Sequence, residues 1–148
     1  MPGYRDLGDV LPVRLKPFLD PDNTAFWTGG KDGRLLIHRC LNCGLWIHPS
    51  APRCRRCHSA EVVPEPVTGR ARVVTYTVNY QPWIPGSEPY IIAVVELIEQ
   101  DGLHLTTNLV GIDGDDVEMG MEVEVVFEPV GEIFLPLFQP AGLRQREQ

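Results

Sequence analysis

Two short segments decide the fold of this chain: Cys40-Leu41-Asn42-Cys43-Gly44 and Cys54-Arg55-Arg56-Cys57. Each Cys-x-x-Cys segment predicts a tight turn whose backbone N–H groups point at the thiolate sulfurs. Two such turns that face each other supply four ligands in a tetrahedron. The ten residues between the two segments' inner cysteines are fewer than is usual, but a short hairpin bridges that distance. We therefore predict one metal ion bound by Cys40, Cys43, Cys54 and Cys57.

The ligand set also predicts the role of the ion. Four sulfur ligands leave no coordination position for water, so the role is structural. Zinc is the preferred assignment, and iron in a rubredoxin-like site, which uses the same ligands, stays open. A thioredoxin-like redox pair is disfavoured because no βαβ pattern surrounds either motif. His38, His48 and His58 lie near the cysteines, but four sulfurs already complete a tetrahedron, so we predict them outside the ligand set.

Four arginines flank the predicted ligands: Arg39, Arg53, Arg55 and Arg56. Four thiolates on a divalent ion leave a site charge of about −2, which these side chains offset. This is the simplest account of the local positive charge, ahead of a DNA-binding patch. A further interpretation stays open, in which Arg55 and Arg56 contact an anionic partner group such as a coenzyme A phosphate.

The residues before the first cysteine predict a short helix. Asp22 or Asn23 is placed to cap it, Phe26 and Trp27 lie on it, and Gly29-Gly30 is expected to end it. Phe26 and Trp27 have two interpretations: they cover the core, which is the simpler one, or they dock onto another chain. We keep both among the candidate interface residues.

Past Gly69 the pattern becomes that of a β domain. The side chains of Arg70–Tyr80 alternate, with Val74, Tyr76 and Val78 assigned to one face. Asp101-Gly102 predicts a hairpin turn. Five strands with one long early loop predict a small Greek-key barrel of the OB type, with a small sandwich as the competing architecture. The other predicted strands are Tyr90–Ile98, Leu103–Val110, Val123–Phe127 and Ile133–Phe138.

These patterns divide the chain into four segments. Residues 1–30 form an N-terminal arm and short helix, residues 31–66 the metal ribbon, residues 67–143 the OB-fold and residues 144–148 a polar tail. Residues 62–67, which two prolines interrupt, are interpreted as a linker or an edge segment. The predicted fold class is mainly β, with an N-terminal helix and a metal ribbon ahead of a five-stranded barrel.

The distribution of charge argues against a nucleic-acid partner. The net charge is −7, and Val73–Leu143 holds twelve acidic residues and no Lys or Arg. A protein that binds the phosphate backbone needs several cations along its groove. No stretch reaches the roughly 18 apolar residues of a membrane span, and Met1–Asp20 lacks the apolar core of a secretory signal. We expect a cytoplasmic protein that binds neither membrane nor nucleic acid, and keep a single-stranded nucleic-acid-binding OB module as the alternative.

No motif in the sequence predicts catalysis. Nucleophile-elbow, P-loop and dinucleotide-binding patterns are missing, and the metal accounts for every cysteine. The remaining notable segment is Tyr80-Gln81-Pro82-Trp83-Ile84-Pro85-Gly86. Its prolines stiffen a loop that holds an apolar surface, and aromatic residues in such loops often anchor protein contacts. Tyr80, Trp83 and Ile84 are therefore candidate interface residues, unless the loop folds back over the barrel end.

The chain resembles a widespread family that joins a rubredoxin-like zinc ribbon to an OB-fold. The resemblance runs from about residue 23 to residue 141, and the second knuckle departs from it, with Arg55, Arg56 and His58 where Pro and Gly are usual. The residues that carry it are Phe26-Trp27, Gly33-Arg34-Leu35, Arg39-Cys40, Cys43-Gly44, Pro49, Cys54, Cys57, Gly69, Val74, Tyr76-Thr77-Val78, Pro89-Tyr90, Val94, Glu96-Leu97, Gly120-Met121, Val123, Phe138 and Pro140.

The resemblance implies a functional context. Members of this family resemble non-catalytic partners of thiolase-superfamily enzymes that act on acyl-CoA, including thiolase-like aldolases that shorten steroid side chains. In such complexes the OB module docks on the enzyme and helps to enclose the CoA-linked substrate. The resemblance therefore implies a thiolase-like partner subunit and acyl-CoA binding through the complex.

Overall fold

The computed structural model describes residues 14–142. They form helix α1 (Thr24–Thr28), a 3-10 helix (Gly29–Asp32), a 3-10 turn (Gly114–Asp116) and strands β1–β8. This mainly β fold confirms the predicted class. The longest helix in this range has five residues, and no helix there is long and apolar enough to cross a membrane. The strands are β1 (Leu35–Cys40), β2 (Trp46–Ile47), β3 (Val62–Val67), β4 (Arg70–Asn79), β5 (Tyr90–Leu97), β6 (His104–Leu109), β7 (Glu122–Val130) and β8 (Ile133–Pro140).

Helix α1 lies where the sequence predicts it, but the predicted side-chain cap at its N-terminus is not formed. The Asn23 side chain does not cap the helix; its Oδ1 accepts a hydrogen bond from the backbone N–H of Asp20 at 2.8 Å. The α-helix ends at Thr28 with Gly29 as its C-cap, which confirms the prediction that Gly29-Gly30 ends it. The chain continues as a 3-10 helix, which ends at Asp32 with Gly33 as its C-cap at a φ of 72°.

Close packing explains the glycine at position 30. A Cβ atom at Gly30 would lie 2.5 Å from side-chain atoms of Phe127 and Phe134. The glycine therefore lets the 3-10 helix lie directly on the barrel.

The ribbon is a three-stranded antiparallel sheet in the order β2-β1-β3. Strand β3 pairs with β1 from Leu35 opposite Val67 to Cys40 opposite Val62. Proline cannot donate to a ladder and is tolerated on edge strands. Residues 62–67, which the sequence predicts as a linker or an edge segment, therefore form an edge strand.

The second half of the described chain is a closed barrel in the order β4-β5-β6-β8-β7. Its neighbours are antiparallel except β6 and β8, which run parallel. The predicted hairpin turn at Asp101-Gly102 is present, with a φ of 78° at Gly102. These features confirm the predicted five-stranded OB-like barrel.

The continuous alternation predicted for β4 is wrong. A β-bulge lies between Val73 and Thr75 and reverses the direction of the following side chains. Val73 is 2% exposed, whereas Val74 is 40% exposed. Past the bulge, Tyr76 and Val78 pack against the core. Ala71 and Val73 before the bulge and Tyr76 and Val78 after it therefore all contribute to the interior.

The ribbon and the barrel share one hydrophobic core. Leu35, Ile37 and Trp46 of the ribbon belong to the same buried cluster as Val95 of the barrel. The Gln100 side chain joins the two parts: its Oε1 accepts from the Trp46 N–H at 2.9 Å, and its Nε2 donates to the Trp46 carbonyl at 3.0 Å. The packing thus fixes the metal ribbon against the barrel.

Candidate metal centre

The four cysteines predicted as ligands converge at one end of the ribbon. All four Sγ atoms lie within 4.8 Å of one another. The Sγ atoms of Cys40 and Cys57 are 3.5 Å apart, as are those of Cys43 and Cys54. Both distances far exceed the roughly 2.05 Å of a disulfide bond. The arrangement is therefore a cluster of four separate sulfur atoms.

The two knuckles have the same backbone geometry. In the first, the Cys40 N–H donates to the Leu45 carbonyl at 2.9 Å, and the Gly44 N–H donates to the Cys40 carbonyl at 2.8 Å. In the second, the Cys54 N–H donates to the Ser59 carbonyl and the His58 N–H to the Cys54 carbonyl, both at 3.0 Å. The repeated Cys-x-x-Cys turn thus presents its sulfurs in the same way twice.

Hydrogen bonds stabilise the thiolate form of two ligands. The pKa of Cys43 is lowered to about 6, mainly by the hydrogen bond from the backbone N–H of Leu45 and also by the Arg56 side chain. The Asn42 side chain, whose Nδ2 lies 3.4 Å from the Cys57 Sγ, lowers the pKa of Cys57. Metal binding requires deprotonated thiols. At Cys43 and Cys57 the protein therefore favours the protonation state that a metal ion needs. At Cys40 the hydrogen bond from the Cys43 backbone lowers the pKa, but burial and the neighbouring Cys57 and Cys43 thiols outweigh it, so the pKa is raised.

The described geometry fits a tetrahedral tetrathiolate ion. With Zn–S bonds of about 2.3 Å, the edges of such a tetrahedron are about 3.8 Å long, close to the 3.5 Å separations of the two sulfur pairs. When bound, the ion would cross-link the two knuckles and form the centre of this end of the ribbon. Zinc remains the preferred assignment, with iron as the alternative.

Three of the four flanking arginines bind knuckle carbonyls. Arg56 Nη2 donates to the Cys43 carbonyl at 2.8 Å, Arg53 Nη1 to the His58 carbonyl at 3.0 Å, and Arg39 Nε to the Gly44 carbonyl at 3.1 Å. These bonds place positive charge around the thiolates and support the charge-compensation interpretation. Arg55 is exposed, and its contact with a coenzyme A phosphate stays a prediction, as does that of Arg56.

The three nearby histidines lie outside the sulfur cluster. His38 is buried and His48 is half-buried, and burial lowers the pKa of each; Asp22 opposes the shift at His38, and His38 adds to that at His48. His58 is exposed and has a φ of 64°. It occupies the position that corresponds to Gly44, whose φ is 80°.

This left-handed backbone at His58 leads to a stability prediction. A non-glycine residue in this conformation destabilises the folded state by about 1–2 kcal/mol. Glycine removes this cost, but its larger conformational entropy in the unfolded state cancels part of the gain. We expect His58→Gly to raise the free energy of unfolding of the metal-loaded protein by about 0.5–1 kcal/mol, measured by urea denaturation. His58→Ala, which removes the imidazole but keeps the Cβ atom, should give no gain. A loss of stability in His58→Gly would contradict this account.

The candidate interface residues lie in two different environments. Phe26 is 7% exposed and packs against Trp27 and His48 with ring centroids 4.7 and 4.8 Å apart. In the loop between β4 and β5, Tyr80 is 70% and Trp83 is 73% exposed, whereas Ile84 is half-buried. The docking interface stays a prediction. Of its candidate residues, the exposed aromatic ones, Tyr80 and Trp83, both lie on this loop.

Two features lie outside the predicted site. Leu15 and Phe18 are highly exposed on an N-terminal segment that is attached to the barrel through Arg14 and Glu128 at 2.9 Å and Lys16 and Glu132 at 2.9 Å. A cavity lies between the ribbon, α1 and the barrel. The apolar residues of that segment are a weak indication in the sequence of an exposed apolar surface. The cavity could not be predicted from the sequence, because it depends on how the ribbon and the barrel pack.

The fold and the cysteine cluster define a protein class, in which a tetrathiolate ribbon precedes an OB barrel. Two family models match the chain. The model "ChsH2, rubredoxin-like zinc ribbon domain" matches residues 27–63, and the model "ChsH2, C-terminal OB-fold domain" matches residues 64–128. The chain therefore belongs to the ChsH2 family of DUF35 proteins.

Relatives agree with this placement. A "DUF35 domain-containing scaffold protein" of Methanothermobacter thermautotrophicus is 36% identical over 64% of this chain and 71% of its own length. A "probable enoyl-CoA hydratase alpha subunit" of Thermomonospora curvata is 39% identical over 87% of this chain, but the chain spans only 40% of that protein. The solved structure of an "Ltp2-ChsH2(DUF35) aldolase" matches 85% of this chain and 99% of its own, with a TM-score of 0.75 and 41% identity.

Proposed function

We propose that this chain is a non-catalytic accessory subunit that docks on a thiolase-superfamily enzyme in the cytoplasm. The partner is a thiolase or a thiolase-like aldolase that acts on acyl-CoA. The names of the relatives support this proposal, since one structure is an aldolase that contains a ChsH2 chain and the archaeal relatives are called scaffold proteins.

The chemistry of the metal centre supports a non-catalytic role. The chain has four cysteines, and all four belong to the sulfur cluster. A metal with four sulfur ligands has no open position for substrate or water. The centre therefore supplies neither a free thiol nucleophile nor a Lewis acid, and its contribution is to hold the ribbon together.

The loop between β4 and β5 carries the docking proposal. Trp83 and Tyr80 are 73% and 70% exposed, in a loop that three prolines border or interrupt. Large aromatic side chains held outward are the residues that most often dominate protein interfaces, and stiffened loops lose little entropy on binding. This surface fits a pocket or groove on a folded partner.

The charge of the barrel supports a protein partner over nucleic acid. Of the described barrel residues, 67–142, only Arg70 and Arg72 are basic, and Arg72 lies 3.6 Å from a Glu122 carboxylate oxygen, so this module offers few cations for a phosphate backbone. The OB-fold alone does not decide between these functions. A titration with single-stranded DNA should show no saturable binding at physiological salt.

We assign the complex to acyl-CoA thioesters, of which steroid side-chain thioesters are one class, with Arg55 and Arg56 as candidate contacts for a coenzyme A phosphate. Arg56 already donates to the Cys43 carbonyl at 2.8 Å, so Arg55 is the better candidate of the two.

Co-expression with a thiolase-superfamily enzyme from the same organism tests the proposal. We expect one complex by size-exclusion chromatography, and enzyme activity that depends on this chain. Trp83→Ala should weaken the complex by about 2 kcal/mol or more, a roughly thirtyfold rise in Kd. Met119→Ala is the matched control, because Met119 is also 73% exposed but lies outside this loop.

Two results would contradict the docking proposal. The first is separate elution of the two proteins together with activity that does not need this chain. The second is an equal effect of Trp83→Ala and Met119→Ala on the Kd, which would remove the β4–β5 loop from the interface.

A further inference from the structure

The N-terminal segment of residues 14–20 turns its apolar side chains toward solvent. Phe18 is 96% exposed, Leu15 is 78% exposed, and Leu19 is exposed as well. The three charged side chains of the segment instead bind groups of this chain. An ordered surface segment normally has the opposite arrangement, because removing apolar area from water is favourable. Large apolar side chains grouped on such a segment are typical of a surface that another molecule covers.

Ion pairs attach the start of the segment to the barrel. Arg14 Nη1 donates to both oxygens of the Glu128 carboxylate, at 3.0 and 2.9 Å. Lys16 Nζ donates to a Glu132 carboxylate oxygen at 2.9 Å. Both cations of the segment are therefore paired within this chain, and residues 14–20 offer no unpaired cation to an anionic ligand.

The Asn23 side chain fixes the other end of the segment. Its Oδ1 accepts from the Asp20 N–H at 2.8 Å, and its Nδ2 donates to the Phe18 carbonyl at 3.1 Å. The Asp20 carboxylate in turn accepts from the N–H groups of Asp22 and Asn23, both at 2.8 Å. The side chain predicted to cap α1 therefore orders the backbone that carries Phe18. Because the segment is already ordered, it loses little conformational entropy when a partner binds.

The segment begins beside the loop that carries the docking proposal. Arg14 Nε donates to Asn108 Oδ1 at 2.9 Å, and Asn108 Nδ2 donates to the Ile91 carbonyl at 2.9 Å. Ile91 is the second residue of β5, directly after the β4–β5 loop. Leu15 and Tyr90, the first residue of β5, line the same cavity. The segment and the base of the loop are therefore neighbours on the protein surface.

Charge distinguishes the candidate partners of this surface. The net charge of the chain is −7, so two copies of the chain repel each other. An acidic membrane surface attracts unpaired cations, and the cations of this segment are paired with Glu128 and Glu132. A different protein with an apolar, uncharged patch meets neither obstacle.

We infer that residues 14–20 form a second contact with the enzyme of the proposed complex, in which Phe18 and Leu15 pack against an apolar part of the enzyme surface. The inference rests on the proposed function and adds a second element to its interface. Enzyme binding then depends on the segment as well as on the β4–β5 loop.

Binding of variants to the purified thiolase-superfamily enzyme tests the inference. Phe18→Ser should raise the Kd of the full-length, metal-loaded chain by roughly tenfold or more. Met119→Ser is the matched control, because Met119 is 73% exposed and lies outside the segment and the loop, and it should leave the Kd unchanged. Phe18→Ser should keep its metal content and its free energy of unfolding, because a side chain this exposed packs against little of the chain.

The outcomes separate this inference from the docking proposal. If the wild-type chain binds the enzyme and Phe18→Ser binds as tightly, or if Met119→Ser has the same effect as Phe18→Ser, this inference is overturned and the docking proposal stands. It is also overturned if Phe18→Ser removes self-association of the isolated chain in sedimentation equilibrium, or its binding to phosphatidylglycerol vesicles, because the segment then serves a dimer or a membrane. If the wild-type chain does not bind the enzyme, both fail.

Discussion

Cys54→Ser is expected to remove the metal and unfold the ribbon. Cys54 is 1% exposed, and its Sγ atom accepts a hydrogen bond from the Arg56 N–H at 3.3 Å. Its loss leaves three thiolates, and a small ribbon has too little apolar surface to fold without its ion. We expect the free energy of unfolding to fall by on the order of 4 kcal/mol or more, measured by urea denaturation, with less than one metal ion per chain by elemental analysis.

Arg55→Ser is the matched control for this substitution. Arg55 is the next residue, is exposed and is no ligand, so this variant should keep its metal and its stability. Because Leu35, Ile37 and Trp46 join the ribbon to the barrel core, loss of the ion should also weaken hydrogen-exchange protection in the barrel strands they contact. A Cys54→Ser protein that keeps its metal and its unfolding transition would contradict the assigned ligand set.

Gly69→Ala is expected to be strongly destabilising. Gly69 joins β3 to β4 with a φ of 81°, and a Cβ atom there would collide with the Val125 side chain. The left-handed backbone costs about 1–2 kcal/mol for alanine, and the β-branched valine has little freedom to move away. Overpacking adds about 1–3 kcal/mol, so we expect a total loss of about 2–5 kcal/mol in the free energy of unfolding.

Gly102→Ala separates the two contributions. Gly102 has nearly the same φ, 78°, but no atom lies within 4 Å of an added Cβ. This variant should lose only the backbone contribution of about 1–2 kcal/mol. If both variants lose the same amount in denaturant titrations, the close approach of Val125 to the junction does not matter for stability.

The metal centre and the β class could be predicted from sequence because both depend on local patterns. The spacing of Cys40, Cys43, Cys54 and Cys57 fixes two turns, and each turn needs only its own residues. Alternating side chains located the barrel strands in the same way. For residues 62–67 the sequence allowed either an edge strand or a linker, because prolines occur in both. It therefore did not predict that β3 pairs with β1.

The features that could not be predicted depend on contacts between distant residues. Gly30 has its role because Phe127 and Phe134 lie against it, and neither is near it in sequence. The bulge at Val74 reverses a side-chain pattern that looks continuous in the sequence. Local propensity carries no information on such contacts.

Elemental analysis of the purified full-length chain, before and after a strong chelator, tests the central claim most directly. The claim is that four thiolates enclose one structural ion. The account predicts one zinc ion per chain, with chelation abolishing the hydrogen-exchange protection of the Leu35–Cys40 strand. A pure, folded protein without zinc or iron, or a ribbon that keeps its protection after the ion is removed, would contradict it.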